Sequence, residues 1–339
     1  MTKARNMSLT AAAVAGLATG TAGLGYLGAR RTISVDRKRH GVVGELAVLA
    51  RAEMADPAGT FTQTIPTDGG GRMFVRHIGA TAAPPLVLLH GVTLDGSIWH
   101  NQLRDLQHDF HVIAPDWLGH GRSIPGRNGF GLDALASDLN SLLQTFDLHR
   151  ALVVGHSMGG MAIMRFCSTF GKTLDARVGG LVFQSTAAFD VGAGPLEWPI
   201  KLGTSLARKF PVAAGRVSKQ NAEFGYVGAR LGFGRNPSPV WVEQTRILLD
   251  QMDPESLTAS VLPLLDHDER ASLPGVRQPA LVLVGTADRV TPFKQAEAIE
   301  RLLPNARMQT FGGAGHTLML ERSRELSETL RDFASVLGS

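Results

Sequence analysis

The stretch Ala151–Gly160, reading A-L-V-V-G-H-S-M-G-G, constrains this chain more than any other. Four apolar residues, Ala151 to Val154, run straight into Gly155-His156-Ser157-Met158-Gly159. Ala162, Ile163, Phe166 and Cys167 then recur at helical spacing. The pattern is a strand, a sharp turn and a helix, with a serine at the apex. A serine hydroxyl that attacks a carbonyl must stand clear of the sheet, and small neighbours let the strained turn close. The helix that begins at once aims its free N–H groups and positive dipole end at the place where an oxyanion would develop. A serine in an ordinary buried turn is the competing reading, but it does not require a strand before and a helix after.

The rest of the chain repeats that unit. Thr60 to Ile65 and Arg72 to Ile78 read as strands around the turn Asp68-Gly69-Gly70-Gly71. The apolar run Leu86 to Leu89 delivers His90-Gly91-Val92, a helix follows around Ile98 to Leu106, and the strand Phe110 to Ala114 ends at Asp116. The loop Gly119-His120-Gly121-Arg122-Ser123 precedes a helix with Leu132, Leu135, Leu139, Leu142, Leu143 and Phe146 on one face. After the Ser157 helix comes another apolar strand, Gly180 to Phe183. Strands alternating with helices through short connections predict a parallel sheet covered on both faces.

The alternation pauses over residues 187–272, where helical and aromatic segments predominate, including a helix started by Ser238-Pro239 and a second helical stretch over Pro254 to Leu265. It resumes with strands at Ala280 to Val284 and Arg307 to Phe311 and closes on a helix carrying Leu326, Leu330, Phe333 and Leu337. An insert that leaves after one strand and returns before the next, above the strands' C-terminal ends, reads as a lid. The division is therefore an N-terminal segment 1–40, a connector 41–59, a core made of 60–186 and 273–339, and a helical cap over 187–272; the connector reads as amphipathic, with Val43, Leu46, Leu49 and Ala50 on one side.

A serine is a poor nucleophile near neutral pH and needs a base, itself held by an acid. The last two strands supply both. Asp288 stands just past Ala280 to Val284, and His316 ends the glycine-rich loop Gly312-Gly313-Ala314-Gly315. The order Ser157, Asp288, His316 is the one expected for a triad built on this sheet. Asp190 is the alternative acid, placed well past its strand. His156, His90 and His120 read as structural, Asp116 as a carboxylate that holds a loop, and Cys167 as a small buried residue. Trp198, Phe224, Tyr226, Phe233 and Trp241 read as cap core.

From about residue 60 onward the chain resembles the α/β-hydrolase superfamily, in particular serine hydrolases with a helical cap. The resemblance rests on G-H-S-M-G, His90-Gly91, Asp116 with Gly119-His120-Gly121-Arg122-Ser123, Asp288 and His316. It implies an α/β-hydrolase fold with an eight-stranded, mostly parallel sheet flanked by helices and a cap inserted after strand 6. It also implies an oxyanion hole made by the backbone N–H groups of Val92 and Met158. The function implied is cleavage of carboxylic esters, with hydrophobic acyl esters favoured, through an acyl-Ser157 intermediate and without a cofactor. Cofactor-free haloperoxidase-like perhydrolases and acyltransferases share the same motifs and differ in what attacks the acyl-enzyme. A non-catalytic ligand-binding member of the fold is the reading of another class, against which the intact Ser157, Asp288 and His316 stand.

Charge and motif content exclude other classes. Net charge is +4, yet residues 1–40 hold seven basic residues and one acidic, which leaves −2 for the remainder. A nucleic-acid footprint is not supported. No H-E-x-x-H and only one cysteine are present, so no metal is expected. Gly23-Leu24-Gly25-Tyr26-Leu27-Gly28 matches a dinucleotide fingerprint, but no strand precedes it and no βαβ unit surrounds it. From Asn6 to Ala29 there is no charged residue. A membrane anchor over residues 9–28 fits that length, with a cleaved signal and secretion, or an Ala-rich leader, as alternatives. Arg30, Arg31, Arg37, Lys38 and Arg39 outweigh Lys3 and Arg5, which places the catalytic domain on the cytoplasmic side.

Overall fold

The computed structural model describes residues 43–191 and 222–337. The uncharged segment, its basic flank, Trp198 and the first part of the expected cap lie outside the described residues. Among the described residues no helix is long and apolar enough to cross a membrane.

Eight strands form one sheet: β1 (Phe61–Pro66), β2 (Arg72–Ile78), β3 (Pro85–Leu89), β4 (His111–Pro115), β5 (Ala151–His156), β6 (Val178–Gln184), β7 (Ala280–Gly285) and β8 (Ala306–Phe311). Their order is β1-β2-β4-β3-β5-β6-β7-β8. β2 runs antiparallel to β1 and β4, and every pairing from β4 to β8 is parallel. The expected eight-stranded, mostly parallel α/β-hydrolase sheet is therefore present.

The apolar runs in the sequence reflect burial on both sheet faces. In β3, Val87 and Leu89 enter one core layer, while Leu86 and Leu88 enter the other. β5 splits Ala151 and Val153 from Leu152 and Val154 in the same way, and β7 splits Val282 from Leu281 and Leu283. Each such buried side chain contributes about 1.5–3 kcal/mol relative to exposure. These central strands consequently hold the site's supporting edge rigid.

Helices cover both faces: α1 (Val43–Glu53), α2 (His100–Leu106), α3 (Leu132–Thr145), α4 (Met158–Thr169), α5 (Gly171–Arg177), α6 (Ala222–Leu231), α7 (Pro239–Gln251), α8 (Pro254–Val261), α9 (Phe293–Leu302), α10 (Leu318–Glu321) and α11 (Ser323–Leu337). α3 buries the Leu132, Leu135, Leu139, Leu142 and Leu143 stripe against the layer that α4 shares. Between β6 and β7 the described residues include α6, α7 and α8.

Three local expectations are corrected. Leu49 was expected on the inner side of the connector helix, but α1 buries Leu46, Ala50 and Met54 and leaves Leu49 52% exposed. The i, i+4, i+8 stripe, continued by Met54 just past the helix, wins over the position one residue earlier. The helix expected from Ile98 begins as a 3₁₀ turn, Gly96–Trp99, capped by Asp95, whose carboxylate accepts from Ser97 N at 2.8 Å. The helical stretch expected over Pro254 to Leu265 divides, because Asp253 and Pro254 start α8 while Pro263 lacks the N–H a continued α-helix needs.

Candidate active site

The site is assembled where β3, β5, β7 and β8 end. Ser157 follows the last residue of β5 and has φ +53° and ψ −116°. A non-glycine residue in that region carries strain of order 1–3 kcal/mol, so the surroundings must impose it. They do so through close backbone approach. A Cβ at Gly155 would fall 2.6 Å from the Gly159 carbonyl carbon, and one at Gly159 would fall 2.6 Å from Leu89 O. Strand β5, the first turn of α4 and the end of β3 are thus pressed together. Ser157 N donates to Gln184 O at 3.1 Å, and Ser157 O accepts from Thr186 Oγ1 at 2.7 Å, which fixes the turn to β6 and its exit.

The structure brings Asp288 and His316 together. His316 Nδ1 lies 3.0 Å from Asp288 Oδ2, and both residues are buried. Asp288 Oδ1 accepts the N–H groups of Val290 and Thr291 at 2.9 Å each, and Oδ2 accepts the Thr291 hydroxyl at 2.9 Å. Burial pushes the Asp288 carboxyl up, but the charge of His316 and these hydrogen bonds outweigh it and hold the group below its ordinary range. A carboxylate acceptor at Nδ1 favours a proton on that nitrogen, which in a neutral imidazole leaves Nε2 as the acceptor a general base needs. Asp190 is exposed and its charge acts on Arg270.

Toward Ser157, the His316 ring packs 4.7 Å, centroid to centroid, from that of His156, the residue before Ser157. No hydrogen bond joins Ser157 Oγ to His316 among the described residues. Substrate-free sites commonly leave that contact long. Val92 lies two residues past His90 at the end of β3, and Met158 is the first residue of α4. Among the described residues neither amide donates to a loop or cap acceptor, and a helix's first N–H groups have no intrahelical partner. Gly91 lets this edge close, since a Cβ there would meet Ser157 Cβ at 3.0 Å.

The remaining polar residues act as struts. His90 Nδ1 donates to Gly91 O at 2.8 Å and its Nε2 accepts Trp117 N–H at 2.9 Å, tying the ends of β3 and β4. Burial holds the His90 and His156 imidazoles well below their ordinary range and His120 at about 4, so all three are neutral near pH 7. Asp116 accepts from Gly96 N at 2.8 Å and Arg122 N at 2.9 Å, and from Arg76 Nη1. Gly121, at φ +52°, passes so close that a Cβ would lie 2.2 Å from Asp116 Oδ2. Among the described residues no group of three or more His, Cys, Asp or Glu is arranged to hold a metal ion.

Sequence reasoning missed three contributors. Arg76, on β2, is buried and pairs with both Asp56 and Asp116. Thr291 braces the acid and lies 3.2 Å from His316 Nδ1. Glu321 accepts from Gly315 N at 3.0 Å and Thr317 Oγ1 at 3.2 Å, on either side of the histidine, and from Gly234 N at 2.8 Å. Only Thr291 had a signal in the sequence, an Asp followed three residues later by Thr, which suits a side-chain-braced turn. The expected cap aromatics divide: Phe233 is fully buried, Tyr226 and Trp241 pack partly buried against the same core layer, and the Phe224 side chain lies outside the described residues.

Comparison with known proteins places this geometry in context. A family model described as alpha/beta hydrolase fold matches residues 84–323. The chain is 28% identical over 281 residues to a non-heme chloroperoxidase from Streptomyces lividans, covering 80% of this chain and 98% of that protein. Among solved structures, an esterase from Exiguobacterium antarcticum superposes with a TM-score of 0.70 at 22% identity, over 82% of this chain and 100% of that one. A bromoperoxidase from Bacillus anthracis gives a TM-score of 0.70 at 21% identity, over 81% of this chain and 100% of that one.

Proposed function

We propose a function from one premise: the chain belongs to the alpha/beta hydrolase fold family. The reading is a serine hydrolase that cleaves carboxylic esters, hydrophobic acyl esters among them, through an acyl-Ser157 intermediate. The observation that carries it is the buried Asp288–His316 pair at 3.0 Å, on the same sheet edge as the strained Ser157 turn.

In this mechanism His316 Nε2 takes the Ser157 proton as Oγ attacks the ester carbonyl. Asp288 keeps the imidazole oriented and stabilises the imidazolium that forms. The N–H groups of Val92 and Met158 meet the developing oxyanion, and donors of that kind are worth about 3–4 kcal/mol each in subtilisin. His316 returns the proton to the leaving alcohol, and water then repeats the sequence on the acyl-enzyme.

A second reading uses the same residues with peroxide or an alcohol as acyl acceptor. The likeness to a non-heme chloroperoxidase over 80% of this chain favours keeping it. Membrane tethering through residues 9–28, with the catalytic domain on the cytoplasmic side, is proposed from the uncharged run and its basic flank.

The test is turnover of a short p-nitrophenyl ester by the parent and by Ser157→Ala, with products partitioned among water, peroxide and alcohol. Hydrolysis by the parent and none by Ser157→Ala supports the esterase. Peracid as the main product at low peroxide would replace it with the second reading.

A further inference from the structure

The catalytic base is held by something outside its own strand and loop. His316 N donates to Gly232 O at 2.7 Å, and Gly232 belongs to the insert between β6 and β7, just past the end of α6. In return, Gly234 N of the insert donates to Glu321 Oε2 at 2.8 Å. The other Glu321 oxygen accepts from Gly315 N at 3.0 Å and Thr317 Oγ1 at 3.2 Å, the two neighbours of His316. Three donors from two segments therefore converge on one buried carboxylate, 8% exposed. Backbone approach at this seam leaves no room for side chains: a Cβ on Gly315 would sit 2.4 Å from Gly234 N, and one on Gly234 would sit 2.1 Å from Gly313 O. On the insert's side, Arg230 Nη1 and Nη2 donate to Gly234 O and Arg235 O at 2.9 Å each, which stiffens the same turn from the end of α6.

We propose that Glu321 is a positioning residue for the His316 base, clamping the histidine loop to the Gly232–Gly234 turn so that the imidazole is held in place. The proposal rests on the reading of His316 as general base. Without the carboxylate, the Gly315, Thr317 and Gly234 donors lose their common acceptor in a buried seam, and the loop gains freedom about the His316 backbone. A general base displaced by about 1 Å loses rate without losing substrate affinity, on the order of 10²-fold. Asp288 would still orient the ring, but from a backbone that no longer stands still.

The experiment uses the full chain and compares parent, Glu321→Gln and Glu321→Asp with p-nitrophenyl butyrate, rates being expressed per site titrated by a fluorophosphonate. Gln offers an amide N–H₂ to at least one of the three donors. Its kcat is expected to fall about 10- to 100-fold with KM within about twofold, and Asp, which restores the charge on a shorter stem, should recover part of kcat. A proton NMR measurement of the His316 Nδ1 hydrogen should show faster exchange in Glu321→Gln. An unchanged kcat per titrated site, or a rise in KM alone, overturns the proposal and leaves Glu321 a stabiliser of the fold. If the parent proves inactive on esters, the proposed function falls by itself. The NMR exchange rate then decides the clamp, and equal exchange in parent and Glu321→Gln refutes it.

Discussion

The two halves of the site are held in place by different means. On the Ser157 side, the turn is fixed within the central sheet: Gly155, Gly159 and Gly91 let the backbones of β5, the following helix and the end of β3 approach closely, and Gln184 and Thr186 hold the turn from β6. On the base side, His316 sits in a loop whose position is set by hydrogen bonds from far along the chain, Gly234 and Glu321 being 87 residues apart. The first arrangement lies within the central strands and costs strain at one residue. The second is distributed and depends on the insert. In the proposed reading, a change in the insert risks moving the base, His316, more than the nucleophile, Ser157.

The largest expected effects ask whether both halves serve one reaction. Ser157→Ala and His316→Ala should each lower ester turnover by about 10⁴–10⁶ with melting temperature little changed, since triad members act as a unit. Steady-state rates with circular dichroism check this. A His316→Ala protein that retained most of its activity would separate the halves. Asp288→Asn should cost up to about 10⁴ by leaving the wrong imidazole tautomer. A dead Asp190→Asn beside an active Asp288→Asn would move the acid to the strand before the insert.

A smaller effect tests the nucleophile side for independence from overall stability. Asp138 on α3 is buried, its Oδ2 has no hydrogen-bond partner, and burial, helped by the charge of Asp68, raises its carboxyl to about 7. An acid whose folded pKa lies above its unfolded value near 4 weakens the fold as pH rises between the two. Asp138→Asn should thus leave melting unchanged near pH 4 and raise stability by about 1–4 kcal/mol at pH 8. Turnover of a short ester should stay the same. A gain at pH 4 equal to that at pH 8 would show that ionisation is not the cause.

The smallest effect reads the strain itself. Ser157→Ala and Ser157→Gly both lack the hydroxyl, but only glycine relaxes at φ +53°. Glycine's greater unfolded-state freedom opposes this gain. The Gly variant should still be more stable than the Ala variant by about 1 kcal/mol in thermal or urea unfolding. Equal stability would mean the turn is not strained.

The same division explains what could be read from the sequence. The strands β3, β5 and β7 were legible because burial on both faces makes them continuous apolar runs, and the Ser157 turn because Gly155 and Gly159 flank it in the chain. The pairing of Asp288 with His316 was legible because each stands just past one of two neighbouring strands. Glu321 and Gly232 were not, because their partners meet them only through the fold, and a lone Glu in Leu318–Glu321 looks like any helical surface residue. Leu49 was misplaced because a short helix with several small residues leaves its inner face open by up to a hundred degrees, and packing against α7 chose Leu46, Ala50 and Met54.

The proposed function requires Ser157 to be a nucleophile activated by His316, and covalent labelling reads that property itself. The full chain is treated with a fluorophosphonate, its mass is measured intact, and the modified peptide is mapped. One phosphonate per chain, attached to Ser157, is expected for the parent, with none on Ser157→Ala and much slower labelling of His316→Ala. A folded parent that remains unlabelled, or that carries the phosphonate on another residue, would contradict the account.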